Sequence, residues 1–165
     1  KRIYNGPFSG YYDRPVEPWS KHEASAVPEG YYRIDLGKAA TVRKGEALTI
    51  LAYGTMVHVT KTIVEEMGLD AEIIDLRTLI PWDKEAVLES VKKTGKCLIV
   101  HEDTLTLGFG AEVASVVADE AFQWLDGPVK RVASLDSPVP FHKALEDDFL
   151  ASSRLNAAIG ELLKW

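Results

Sequence analysis

The amino-acid sequence predicts an α/β fold in three layers, helix, sheet and helix. The sheet is mostly parallel, with about five strands and one antiparallel edge strand. Three observations carry this expectation. Apolar runs of strand length recur at residues 47–53, 71–76, 97–101 and 129–134. Segments with apolar residues at helical spacing lie between them. Glycine, proline or aspartate stands at nearly every junction. Near-continuous apolar runs suit strands covered on both faces, and short-range alternation of strand and helix implies right-handed crossovers.

Residues 1–30 stand apart from that pattern. Pro7, Pro15, Pro18 and Pro28 fall in a stretch with little periodicity, and proline removes a backbone donor and fixes φ. The aromatics Tyr4, Phe8, Tyr11, Tyr12 and Trp19 make it richer in ring side chains than a free linker. We read 1–30 as an extended connector from a domain N-terminal to it, and 31–165 as the folded domain. The chain opens on Lys1-Arg2-Ile3 and is expected to be part of a longer polypeptide.

Within the domain, Tyr31–Leu36 and Ala40–Arg43 read as short extended pieces that supply the antiparallel edge. The run 47–53 forms the first central strand. Thr55 is placed to cap the following helix, whose apolar stripe is Met56, Val59, Ile63 and Met67, ending at Gly68. After the strand 71–76, Asp83 caps a helix with Val87, Leu88 and Val91 on its inner face, and Gly95 stops it. The strand 97–101 leads through a loop at 102–107 to Gly108-Phe109-Gly110, which opens a helix carrying Val113, Val117 and Trp124. A last strand, 129–134, is followed by a loop at 135–140 and a final helical segment over 152–165.

Composition narrows the function classes. Of 165 residues, 46% are apolar and 27% charged, and the formal net charge is −6. That fits one globular core and argues against nucleic acid or an anionic membrane as the main partner. No apolar run approaches the ~20 residues of a membrane span. The lone cysteine, Cys97, cannot build a disulfide frame, which favours a reducing compartment. Its apolar neighbours make it an inert buried thiol.

In open parallel sheets, ligands bind beyond the carboxyl ends of the strands. Those ends carry Thr55, Arg77, His101 and Glu102 as crevice candidates. Gly108 and Gly110 form a glycine-rich turn into a helix whose free N–H groups can hold an anion, or can simply start the helix; Glu112 in its first turn suits the helix dipole and would repel an anion. The turn lacks the spacing of the dinucleotide fingerprint and the lysine of the phosphate loop. His101-Glu102 is the acid–base pair best placed for chemistry, against the plainer reading of a histidine bonded into the structure. Arg77, between Asp75 and Asp83, reads first as an ion pair fixing the loop after its strand. His22, His58, His101 and His142 have no metal-binding spacing. We therefore assign no catalytic, cofactor-binding or metal-ligating residue. At the C-terminal end, Glu146, Asp147, Asp148 and Trp165 are partner-binding candidates, because a terminal tryptophan is costly to leave in water unless it docks.

Several motifs also resemble a known family. They are Lys1-Arg2-Ile3-Tyr4-Asn5-Gly6-Pro7-Phe8, Asp13-Arg14-Pro15-Val16, Ala52-Tyr53-Gly54-Thr55, Asp75-Leu76-Arg77-Thr78-Leu79-Ile80-Pro81-Trp82-Asp83 and Val100-His101-Glu102. The chain resembles the C-terminal, transketolase C-terminal-like domain of bacterial branched-chain 2-oxoacid dehydrogenase β subunits. Pyruvate- and acetoin-type enzymes share the middle motifs. Thr106-Leu107-Gly108 stands where the family commonly has two glycines before the phenylalanine.

The resemblance implies an α₂β₂ decarboxylating component that uses thiamine diphosphate and magnesium and passes its acyl group to a dihydrolipoyl acyltransferase. The activating glutamate and the active-site histidine belong to the family's N-terminal domain, so none of their roles falls on this chain. What it implies here is assembly with an α subunit and a second β subunit, and docking of the acyltransferase's subunit-binding domain, in the bacterial cytoplasm. A free-standing flavodoxin-like ligand-binding or regulatory domain is the alternative from another class.

The assembly reading predicts that this chain alone gives no binding heat with thiamine diphosphate and magnesium in calorimetry. Saturable micromolar binding would overturn it.

Overall fold

The computed structural model describes residues 28–165, which fall in two units. The connector motifs, their aromatics and His22 lie outside the described residues. Of the first unit, residues 28–36 are described. They form no strand, expose Tyr31, Ile34 and Leu36, and pair Arg33 with Asp35 at 3.2 Å.

The second unit, Gly37–Trp165, holds the domain. Its strands are β1 (Ala40–Arg43), β2 (Leu48–Ala52), β3 (Ala71–Asp75), β4 (Cys97–Thr104) and β5 (Lys130–Ser134). Its helices are α1 (Thr55–Glu66), α2 (Lys84–Thr94), α3 (Phe109–Glu120), α4 (Lys143–Phe149) and α5 (Ser152–Leu162), with a 3₁₀ turn at Phe122–Trp124. The sheet order is β1-β3-β2-β4-β5, and only the β1–β3 pair is antiparallel. Helices α1 and α5 pack together on one face, and α2 and α3 on the other. The three-layer, mostly parallel fold with one antiparallel edge is as the sequence predicts.

Every residue of β2 and β3 is buried. On the α2 and α3 side, Leu51, Ile74, Cys97 and Ile99 meet Val87, Val91, Val113 and Val117. Near the amino ends of the strands that layer turns polar. Glu72 on β3 accepts from Ser90 Oγ and Lys93 Nζ, both at 2.6 Å. Ser90 in turn meets Thr49 of β2 at 2.7 Å, and Thr49 meets Thr94 at 2.8 Å. Glu72 is 7% exposed, so its carboxylate is tolerated because both oxygens are bonded. Helix α2 is thus fixed to the sheet by polar contacts at one end and apolar ones along its length.

Several local expectations need correction. The α1 N-cap position is Gly54, at φ 61°, while Thr55 is the first helical residue, buried and not capping. The inner stripe of α1 is Met56, Val57, Thr60 and Val64, and Met67 is exposed. Helix α3 stops at Glu120, so Trp124 lies in the 3₁₀ turn with the Lys92 ammonium 4.3 Å above its ring. The acidic run lies on α4, a helix the sequence reading left out, and α5 ends at Leu162. Asp83 does cap α2, accepting from the Ala86 N–H, and Gly95 ends that helix at φ 71°.

At the outer edge, Arg154 of α5 ties the last elements down. Nη2 donates to Ala133 O of β5 at 2.7 Å and to Phe149 O at 3.1 Å, and Nη1 donates to Asp148 O at 2.7 Å. The Leu135 N–H adds a bond to Phe149 O.

Substituting Glu72→Ala removes the acceptor of the buried Ser90 hydroxyl and leaves the Lys93 ammonium without its nearest carboxylate. We expect a loss of about 2–3 kcal/mol, read as a lower urea midpoint, with Glu72→Gln losing less.

Candidate functional site

Site residues begin at the carboxyl end of the sheet. The order places β2 between β3 and β4, so the chain reverses its winding direction beside β2, the position where open α/β sheets form a crevice. Tyr53 follows β2 there, and His101 lies on the neighbouring β4.

Strand β4 runs to Thr104, beyond the predicted end at 101. Val100 pairs with Val132 and Thr104 with Ser134, so the register advances four residues on β4 against two on β5. This bulge spans His101, Glu102 and Asp103, and such irregularities re-aim side chains. His101 is fully buried, whereas Glu102 and Asp103 are exposed. The expected His101-Glu102 acid–base pair therefore does not share one environment.

The His101 ring stacks on Tyr53, with centroids 5.9 Å apart and planes 8° from parallel. Phe109 meets the Tyr53 ring edge-on at 6.3 Å. On its other side His101 is met by the glycine turn. A Cβ on Gly108 would fall 2.8 Å from His101 Cε1 and closer still to the Thr104 carbonyl oxygen, and one on Gly110 would fall 2.5 Å from His101 Cδ2 and closer to Nε2. The two glycines therefore let the first turn of α3 close on the imidazole. Their lack of side chains serves that packing, where a phosphate-binding turn would leave open space.

The electrostatics follow from burial. Desolvation lowers the His101 pKa from its ordinary 6.5; the Asp103 charge and backbone oppose this and Arg131 reinforces it. The ring is neutral near pH 7. Burial, with help from Asp103 and Glu102, pushes the Tyr53 phenol up to about 12, so it stays protonated. Cys97 is buried and free, and burial raises its thiol to about 12 as well, which fits an inert side chain.

The other crevice candidates are dispersed. Arg77 follows β3 at φ 56°, its Nε 4.0 Å from Asp75 Oδ2. Asp83 instead turns to Lys38 at 3.9 Å and accepts the Ala39 N–H at 3.1 Å. The expected Asp75-Arg77-Asp83 arrangement reduces to its first half. Glu112 is exposed in the first turn of α3. Thr55 is buried in α1, where His58 is also held below its ordinary pKa, chiefly by burial. The structure brings together His101, Gly108 and Gly110, with Tyr53 as the partner that sequence reasoning missed. No signal within one segment marks a stacking pair that joins two strands.

Among the described residues, no group of three His, Cys, Asp or Glu side chains is placed to hold a metal ion. With the glycine turn filled by His101, these residues do not fit a magnesium–diphosphate group. No described helix is long and apolar enough to cross a membrane.

The remaining candidates are surface features. Glu146, Asp147 and Asp148 are all exposed on α4, with Lys143 3.2 Å from Asp147. Leu145 and Phe141 are exposed beside them in sequence. Trp165 is 69% exposed and packs on Gly127, where a Cβ would lie 3.0 Å from its Cβ and Cγ. It borders an open groove of about 910 Å³ along α3, with Ala114, Ala118, Phe122 and Val129 in its walls.

Comparison with known proteins places this fold. The profile of the transketolase C-terminal domain family matches residues 37–154. The chain belongs to that family. The 2-oxoisovalerate dehydrogenase subunit beta of Pseudomonas aeruginosa is 54% identical over 164 residues, 99% of this chain and 47% of the relative. The acetoin:2,6-dichlorophenolindophenol oxidoreductase subunit beta of Bacillus subtilis is 39% identical over 127 residues, 75% of this chain and 37% of the relative. Among solved structures, a split-gene transketolase described as an inactive β4 tetramer superposes with a TM-score of 0.67 at 28% identity. That match covers 85% of this chain and 47% of that one. The chain thus spans about half the length, or less, of these relatives. The family resemblance read from the strand-end motifs is borne out.

In this transketolase C-terminal domain, Leu107 occupies a left-handed position at φ 62° with its side chain 95% exposed. We expect Leu107→Gly to stabilise the domain by about 1 kcal/mol, as a raised thermal midpoint, since a non-glycine residue there costs about 1–2 kcal/mol. Gly110→Ala should do the opposite.

Proposed function

We propose that this chain is the assembly and partner-docking domain of a thiamine-diphosphate-dependent 2-oxoacid dehydrogenase β subunit of the branched-chain type. The full enzyme decarboxylates a branched-chain 2-oxoacid oxidatively and transfers the acyl group to a lipoyl carrier. The observation that carries this reading is the 54% identity that runs across 99% of the chain, residues 1–27 included. The match to the acetoin-type subunit covers 75%. Acetoin- and pyruvate-type enzymes share the domain and are the second reading.

The domain's contribution is geometric. Tyr53 and His101 are packed side chains that do not open onto a ligand cradle, so the binding capacity of the described residues lies on the outside. The partners we assign are an α subunit and a second β subunit in a heterotetramer. The third partner is the subunit-binding domain of a dihydrolipoyl acyltransferase, which the exposed acidic residues Glu146, Asp147 and Asp148 suit if its surface is basic. Trp165 beside the α3 groove is a second contact candidate. Thiamine diphosphate and magnesium belong to the full enzyme, and we place that enzyme in the bacterial cytoplasm.

The test is reconstitution of the full-length β subunit with its α subunit. We expect kcat/KM for 2-oxoisovalerate to exceed that for pyruvate by at least about tenfold, the scale set by methyl groups in an apolar pocket. Neutralising the acidic run (Glu146→Gln, Asp147→Asn, Asp148→Asn) should leave decarboxylation with an artificial acceptor unchanged. The same variant should weaken acyltransferase binding by about tenfold. Preference for pyruvate or acetoin would overturn the branched-chain assignment, and unchanged binding would overturn the docking assignment.

A further inference from the structure

A fully buried imidazole that serves apolar packing alone is an expensive choice. Neither ring nitrogen of His101 has a well-formed hydrogen bond among the described residues; a weak contact with the Asp103 backbone favours the charged form without satisfying the ring. Burying such a group without a partner costs about 1–3 kcal/mol, a penalty that phenylalanine or leucine would avoid. The ring is also the surface on which the first turn of α3 rests, through Gly108 and Gly110.

We propose that His101 is a proton-sensitive latch. Neutral, it holds the first turn of α3 and the loop at 105–108 closed on the sheet; protonated, it releases them.

The surroundings of the ring explain why the charged form does not fit. Tyr53, just after β2, covers one face, offering a neutral phenol. The first turn of α3 approaches the ring edge, and a helix N-terminus carries partial positive charge, which repels an imidazolium. Arg131 of β5 adds a second repulsion. The groups that favour charge, Glu102 and Asp103 on β4 itself and Glu112 on α3, are exposed and screened by water. Loss of hydration outweighs them.

The sign of the pH dependence follows. The folded-state pKa lies below the ordinary 6.5 that the opened state recovers, so opening takes up a proton. Closure is fully stable above pH 6.5 and weakens as pH falls toward the folded-state value. The released loop has further ties. Thr106 donates to Asp136 through its N–H at 2.9 Å and through its hydroxyl at 2.6 Å. Arg131 Nη1 donates to Leu105 O at 2.6 Å. Opening at His101 therefore loosens the link between the β4–α3 loop and the β5–α4 loop.

Hydrogen–deuterium exchange on the full-length protein, corrected for intrinsic pH dependence, tests this. We expect protection at residues 105–112 to fall below pH 6.5, with a limiting slope of about tenfold per pH unit for one proton taken up. Strands β2 and β3 should keep theirs, and His101→Phe should abolish the slope. A flat wild-type profile, or the same slope in His101→Phe, would overturn the latch. Should that variant fail to fold, imidazole nitrogen shifts of the wild type decide. The latch requires His101 to titrate below the ordinary histidine range together with the Gly108 and Gly110 amides. A ring that titrates in the ordinary range while those amides stay still would refute it.

Discussion

Strands β2 and β3 expose nothing on either face, and the rest of the domain answers to that constraint. Two faces without water need two layers of cover, and a parallel pair cannot be joined by a hairpin. Each connection must therefore cross a face, and a helix is the crossing that also supplies apolar cover. The right-handed sense such crossings take puts α1 on one side and α2 and α3 on the other, and α5, after the last strand, packs back against α1. The same sense also brings the strand ends at Tyr53 and His101 side by side.

Where many open α/β domains keep a crevice, this one is packed. His101, Tyr53 and Phe109 form an aromatic cluster at the reversal point, and the glycines at 108 and 110 admit α3 to it. The same glycine-rich turn in front of an open space would present free N–H groups to an anion. A single imbedded ring decides between the two uses. The exposed apolar and acidic residues of the described domain lie on its outer helices and loops.

Most of the sheet was legible because its signal is local: runs of β-branched and aliphatic residues bounded by glycine and aspartate. The helix caps at Asp83 and Gly95 were legible for the same reason. The misreadings have physical causes. Thr60 belongs to the buried stripe of α1 although it is polar, so choosing apolar residues alone shifted the stripe onto Val59 and Ile63. Of the residues in α4 only Phe149 is buried, which leaves no periodic pattern to detect. The Thr49, Glu72, Ser90 and Lys93 network spans three elements, and each member alone reads as an ordinary surface residue. Thr55, Arg77 and Glu112 were sound as strand-end or helix-start polar residues, but which of them would converge depends on the bulge in β4.

One guanidinium on α5 has a consequence beyond holding two helices in place. Strand β5 is one of the two edges of the sheet, and an edge that ends in unpaired carbonyls invites another chain to add a strand. Arg154 occupies the Ala133 carbonyl on that margin, and the Phe149 carbonyl takes the next N–H, from Leu135. A foreign strand pairing at this end of β5 would have to displace a charged, multiply bonded side chain. The residue that closes the C-terminal helices also works as a guard against unwanted growth of the sheet.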